Sequence, residues 1–154
     1  MALKIVLVRH GDAKSKKLGQ TDHERELTKR GVAALREAFP QTFSLVEPTI
    51  ASELWVSTAI RARQTADIAN ETLGIEMVRL REYLYEQDHQ EFLDEISQTN
   101  ADLVVVVGHI PFVEDACYQL IGTSLGFSTG AAAAIELSEQ GRGRLLWFVQ
   151  GPEC

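Results

Sequence analysis

Apolar residues recur along this chain with two different periods, and the alternation between them lays out its elements. Leu3 to Val8 is a nearly continuous, β-branched run that suits an inner strand covered on both faces, and it ends at Arg9-His10-Gly11. After a polar loop, Val32, Leu35 and Phe39 recur at helical spacing, with Thr28 placed to cap the helix and Pro40 placed to end or kink it. Glu53 to Val56 reads as a second short strand. Ser57 and Thr58 then read as caps for a helix with a small-residue stripe (Ala62, Thr65, Ala66, Ala69, Leu73), stopped by Gly74. Glu76 to Leu80 has a weaker strand pattern, and Phe92, Leu93 and Ile96 mark a helix between Asp88 and Thr99. Leu103 to Val107 is the clearest strand. It runs into Gly108-His109-Ile110-Pro111, where Pro111 suits a first helical position and Phe112, Val113, Ala116, Cys117, Leu120 and Ile121 supply a buried face. The chain closes with Ala131 to Leu137 and Arg144 to Val149, two strands joined by the polar, glycine-containing stretch Glu139 to Gly143, which predicts a hairpin.

Alternation of short apolar runs with amphipathic stretches predicts an α/β fold: a three-layer α/β/α sandwich on a mostly parallel sheet, with the hairpin at the C-terminus. No repeat, low-complexity tract or Pro/Gly/Ser-rich linker interrupts the 154 residues, so a single domain over 1–154 is expected.

Charge narrows the function. A net charge of −7 argues against a nucleic-acid partner, since a polyanion demands a basic face. The one basic cluster, Lys14, Lys16 and Lys17, reads either as a solvated loop or as an attractor for an anionic substrate. Cys117 and Cys154 make neither a disulfide framework nor a metal cluster; both are expected to be free thiols, with Cys117 a packing residue. The apolar run near the start is too short for a signal peptide and no stretch approaches a membrane span, so no membrane partner and a cytoplasmic address are expected. No His and carboxylate cluster has metal-ligand spacing, which predicts a metal-independent reaction with no cofactor.

The chemistry gathers where strands run out, which in open α/β sheets is where ligands bind. His10 and His109 each follow an apolar strand, and Arg61 lies in the first turn of the helix after the second strand. Three segments thus converge on one pocket. An arginine fork matches phosphate oxygens, and helix N-termini near Ser57, Thr58 and Ile110 add N–H groups and a favourable dipole, so the expected ligand is a phosphoryl group. Gly11, having no side chain, would let the backbone and the His10 ring approach that ligand closely. Arg63, two residues beyond Arg61 on the same helix, points the other way, and His23 and His89 read as ordinary polar positions.

Val8-Arg9-His10-Gly11 resembles the RHG signature of the histidine phosphatase superfamily, with its phosphoglycerate mutase-like fold. Arg25-Glu26-Leu27-Thr28-Lys29-Arg30-Gly31 is similar to the family's R-x-L-T-x-x-G. Ser57-Thr58-Ala59-Ile60-Arg61-Ala62-Arg63-Gln64-Thr65 is similar to its S-x-x-x-R-A-x-Q-T, and Gly108-His109 supplies the second histidine. The RHGDA pentapeptide and short length look like the SixA-type phosphohistidine phosphatases. The resemblance implies His10 as nucleophile, with Arg9, Gly11, Ser57, Arg61 and His109 at the phosphate and Arg25 bracing the loop. It implies a general acid among Glu82 and Glu86, Glu86 before Glu82; the plain reading of both as surface carboxylates stays open. Two arginines beside His10 would keep its ring neutral. The implied substrate is a phosphohistidine-bearing signalling or phosphotransfer protein; the alternatives are a small phosphorylated metabolite and a non-catalytic phosphate-binding module.

Overall fold

The computed structural model describes residues 2–153; Cys154, expected as a free thiol, lies outside the described residues. The uninterrupted run Leu3–Arg9 forms strand β1, whose Ile5 to Val8 are all buried. It is followed by helix α1 (Lys29–Thr42), strand β2 (Glu53–Ser57), helix α2 (Ile60–Leu73), strand β3 (Met77–Arg81), and helices α3 (Glu82–Glu86) and α4 (His89–Gln98). Strand β4 (Leu103–Gly108), helix α5 (Phe112–Ile121), and strands β5 (Ala132–Leu137) and β6 (Gly143–Val149) complete the chain. The sheet order is β3-β2-β4-β1-β5-β6. The first four strands in that order are parallel, β5 runs antiparallel to β1, and β6 antiparallel to β5 as the closing hairpin.

Alternating side chains of the central strands build two cores, one on each face, as a parallel sheet covered on both sides requires. On one face Val6, Val8, Leu54, Val56, Val105 and Val107 meet Leu35 and Phe39 of α1 and Ala62, Ala66 and Ala69 of α2. On the other, Ile5, Leu7, Trp55, Val104 and Val106 meet Phe92 of α4 and Phe112, Val113 and Cys117 of α5. Burial raises the Cys117 thiol pKa, in keeping with a packing role. The expected three-layer α/β/α architecture is what is observed. Among the described residues no helix is long and apolar enough to cross a membrane.

Several boundaries differ from the sequence reading. Pro40 does not end α1, which continues to Thr42: Phe39 and Phe43 are buried with ring centroids 4.8 Å apart, and Phe43 N–H donates to the Phe39 carbonyl at 3.0 Å. Burial of the two aromatic rings holds the last turn despite the missing Pro40 N–H. Ser57 is the last residue of β2, and the N-cap of α2 is Ala59. The short helix α3 and a 3₁₀ turn at Asp22–Glu24 had no apolar period to announce them.

Leu35 joins the core to the segment that carries the site. A Cβ built on Gly11 would stand 2.6 Å from Leu35 Cδ1, and one on Gly130 would stand 2.8 Å from Leu35 Cδ2. Leu35→Ala is therefore expected to destabilise by about 2–5 kcal/mol, read as a lower urea midpoint with an unchanged slope.

Candidate active site

Parallel pairing of β1 with β4 sets Arg9 opposite Gly108, which places His10 and His109 side by side beyond the strand ends. Their ring centroids are 5.1 Å apart with planes at 62°. Pairing of β2 with β4 sets Val56 opposite Val107, bringing Ser57 and the start of α2 to the same edge. His10, Ser57, Arg61 and His109 are all buried.

The His10 ring is pinned by its neighbour: Nδ1 lies 2.7 Å from the Gly11 carbonyl, so Nδ1 carries the proton and donates it. Nε2 is left with its lone pair, and Arg61 Nε donates toward it at 3.4 Å. Burial pushes the His10 pKa down to about 4; Arg61, Arg9 and Arg25 lower it further, against the opposing Gly11 hydrogen bond. The ring is thus neutral at pH 7 as expected, but desolvation outweighs the arginines as the cause. The His109 pKa is pushed down to about 3, again by burial first, then by His10 and Arg61.

Ser57 does not act mainly as a helix cap. Its Oγ is 2.7 Å from His109 Nε2, while the Ala59 N–H donates to the same oxygen at 3.4 Å. His109 Nδ1 is buried with no hydrogen-bond partner among the described residues, and in the tautomer whose Nε2 accepts from the Ser57 hydroxyl it carries the ring proton. Arg9 shows the same pattern: Nη1 donates to the Phe127 carbonyl at 2.8 Å, and Nε is buried without a partner. Arg9 Nε, and His109 Nδ1 in that tautomer, are buried donors left unsatisfied, which an oxyanion would satisfy.

Arg61 is held differently from a free fork. Nη1 donates to the Asp22 backbone carbonyl at 2.8 Å and Nη2 to the Asp22 carboxylate at 3.0 Å, so Nε is the nitrogen turned to His10. Asp22 also accepts from Arg25 Nη1 at 2.9 Å and from the Tyr85 hydroxyl at 2.9 Å. Partial burial raises its pKa, but hydrogen bonds from Arg25, Tyr85 and Arg61 prevail and hold the carboxyl well below the usual range. Arg25 braces the loop as expected, with Nε donating to the Lys14 carbonyl at 2.7 Å.

The space beside Gly11 is taken by Leu35 rather than left for a ligand, and the Gly11 N–H donates to Thr65 Oγ1 at 3.0 Å. Glycine is required here by the packing of α1 against the loop. Arg63 is exposed, as its helical position implied. Of the two candidate acids, Glu86 is exposed and makes no hydrogen bond to the site. Glu82 accepts from Thr58 Oγ1 at 2.6 Å, and Thr58 Oγ1 is 2.9 Å from His23 Nε2. His23 in turn packs edge-on against Tyr85 at 4.9 Å, and Tyr85 against His109 at 5.7 Å. Asp22 and Tyr85 are rim residues that sequence reasoning passed over, and His23, read there as an ordinary polar position, stands beside them. Among the described residues no group of three or more His, Cys, Asp or Glu side chains is placed to hold a metal ion.

An α/β sheet with paired histidines just beyond its strand ends, RHG closing the first strand and Arg61 on the second helix defines a class. The chain belongs to the histidine phosphatase superfamily, branch 1, whose family model matches residues 5–101. Among solved structures it is similar to the protein histidine phosphatase SixA complexed with tungstate, at 24% identity and TM-score 0.80 over 96% of this chain and 97% of that one. It is also similar to an Agrobacterium tumefaciens protein assigned as a phosphohistidine phosphatase SixA, at 26% identity and TM-score 0.82 over 97% and 98% of the two chains. A protein of the same assignment from Nakamurella multipartitia is 28% identical with TM-score 0.81, over 100% of this chain and 98% of that one. No curated protein matched by sequence.

Proposed function

We propose that this protein is a phosphohistidine phosphatase that works through a phosphoryl group carried transiently on His10. The observation that carries the reading is the fixed, unprotonated Nε2 of His10, set by the Gly11 carbonyl and faced by Arg61. In the first step Nε2 forms a bond to phosphorus as the bond to the leaving atom breaks in line. Arg9, Arg61 and His109 stabilise charge on the equatorial oxygens, and Arg61 and His109, being buried and held beforehand, need little reorganisation. Water then takes the phosphoryl group from His10, returning the neutral ring and inorganic phosphate.

The substrate class rests on the leaving group. A phosphorylated imidazole that carries a proton on its second nitrogen departs as a neutral ring and needs no strong acid from the enzyme. That suits a site whose Arg61 is held by a carboxylate, Asp22, that three donors keep ionised, and whose Glu86 is exposed. Likeness to the two SixA-assigned proteins supports the same substrate, and the tungstate complex of the third supports an oxyanion site. A second reading, a phosphatase of small phosphate monoesters, draws on Glu82, which hangs at the rim on Thr58 and could protonate an alkoxide. Phosphate release is to be compared on a phosphohistidine-bearing protein and on a phosphomonoester, with wild type and His10→Ala. Preference for the phosphoprotein, lost in the variant, upholds the reading; preference for the monoester, sensitive to Glu82→Gln, moves the assignment to the second.

The pH profile follows from the same ring. Protonation of Nε2 removes the nucleophile, and the His10 pKa stands at about 4. On the acid side kcat/KM is therefore expected to hold level well below the ordinary histidine range and to fall only as pH drops through about 4. An acid limb centred near the ordinary histidine value of 6.5 would contradict the buried, neutral ring.

A further inference from the structure

The segment between the RHG motif and the Asp22 turn takes no part in the chemistry above, yet it is built as a rigid projection beside it. At its root the Lys14 N–H donates to the Glu26 carbonyl at 2.8 Å, the Lys14 carbonyl accepts from Arg25 Nε at 2.7 Å, and Ala13 bridges to Leu27. At its tip the Gln20 N–H donates to the Lys17 carbonyl at 3.0 Å and the Lys17 N–H to Gln20 Oε1 at 3.0 Å, closing a turn over Leu18 and Gly19. Gly19 sits at φ +80°, a value that turns of this kind assign to glycine. Gln20 Nε2 then donates to the Glu24 carbonyl at 3.1 Å, tying the turn to the Asp22–Glu24 segment. Arg25 thus holds both the root of the turn and Asp22, and Asp22 holds Arg61 against His10.

What the turn presents is Lys16, Lys17 and a fully exposed Leu18. In a chain of net charge −7, residues 12–30 carry six Lys or Arg against four Asp or Glu. The carboxylates there are engaged internally: Asp12 accepts from Thr28, Asp22 from Arg25, Arg61 and Tyr85, Glu24 from Thr21, and Glu26 from Gln64. Lys16 and Lys17 form no ion pair among the described residues. Both lysines are exposed, and among the described residues no hydrogen bond ties either side chain to Arg25, Asp22 or His10. A folded protein that offers a surface histidine to His10 lays its flanks across this rim.

We propose that the Lys16-Lys17-Leu18 turn is a docking element for the phosphoprotein, taking an acidic surface that flanks the phosphorylated histidine, with Leu18 as its apolar contact. This rests on the reading of the substrate as a phosphohistidine-bearing protein. Charges on such a rim act on encounter and on partner choice more than on the chemical step.

The test compares wild type with the Lys16→Glu/Lys17→Glu double variant on two probes: a histidine-phosphorylated phosphotransfer domain of acidic surface, and phosphoramidate. At low salt kcat/KM for the phosphodomain is expected to fall about tenfold through KM, the two enzymes converging as salt screens the rim, while phosphoramidate turnover stays unchanged. Equal kcat/KM of the two enzymes on the phosphodomain would overturn the docking role, as would an equal fall on phosphoramidate, which would place the effect in the site itself. Wild type that cleaves phosphoramidate but not the phosphodomain would sink the substrate reading, and the docking role with it.

Discussion

His10→Ala is expected to lower kcat by on the order of 10⁴-fold or more, the scale seen when a covalent nucleophile is removed, with no compensating change in KM. Among the described residues His109 is the other imidazole at the site, and it is not placed to substitute. The His109 Nε2 is taken by Ser57 at 2.7 Å, and its ring is the more strongly deprotonated of the two, with a pKa near 3, so it is the weaker nucleophile as well as the worse placed. Alanine at position 10 also removes the bond to the Gly11 carbonyl, so the variant must be shown folded by its circular dichroism and its urea midpoint. Retention of more than about a hundredth of the wild-type kcat in a folded variant would mean that water attacks phosphorus directly and that His10 only helps to bind, contrary to covalent catalysis.

Arg61→Ala carries the second largest effect, a loss of kcat/KM on the order of 10²–10³-fold, the range expected for a preorganised donor aimed at developing charge. Two consequences separate this residue from a simple cation. Nη1 and Nη2 are fixed by Asp22, so the planar shape of the guanidinium aims Nε at His10. Lysine cannot reproduce that arrangement, and Arg61→Lys is expected to recover less than a tenth of the lost activity. The Arg61→Ala loss is to fall on kcat as well as KM, because the donor faces His10 Nε2 and, in the proposed mechanism, the oxygens gaining charge. A loss confined to KM would assign Arg61 to ground-state binding alone.

Much of this architecture is legible in the order of residues because the strands that carry it are buried on both faces. Leu3 to Val8 and Leu103 to Val107 have no polar interruption, and a run of that kind has few places to go except the centre of a covered sheet. Since ligands gather at strand ends, the residues that follow these runs, His10 and His109, were legible too. Arg61 can be placed at the same edge from the sequence because it lies in the first turn of the helix that follows β2.

What escaped reading depends on contacts between polar loops that share no period. Asp22, His23 and Tyr85 come from a 3₁₀ turn and a short helix, and they meet over Arg61 and His109 only once the chain is folded. Thr21 and Glu24, which form a capping box, were the local signal that something ordered began there. Ser57 was misjudged for a related reason: a serine before a helix reads as a cap, and only the pairing of β2 with β4 reveals that His109 is its partner. The cause of the neutral His10 ring was likewise hidden, because arginines are visible in a sequence and desolvation is not. Pro40 was overweighted; the local penalty of a proline two residues from the helix end is smaller than the gain from burying Phe39 and Phe43.

The central claim, that His10 Nε2 carries the phosphoryl group, is tested most directly by rapid acid-free quench of wild type turning over a phosphodomain radiolabelled on its histidine. Label is expected on the enzyme within the first turnover, stable to base and labile to acid as a phosphoramidate is, and confined to the peptide that contains His10. Label that passes to phosphate without ever residing on the enzyme, or that resides on His109 instead, would contradict the account.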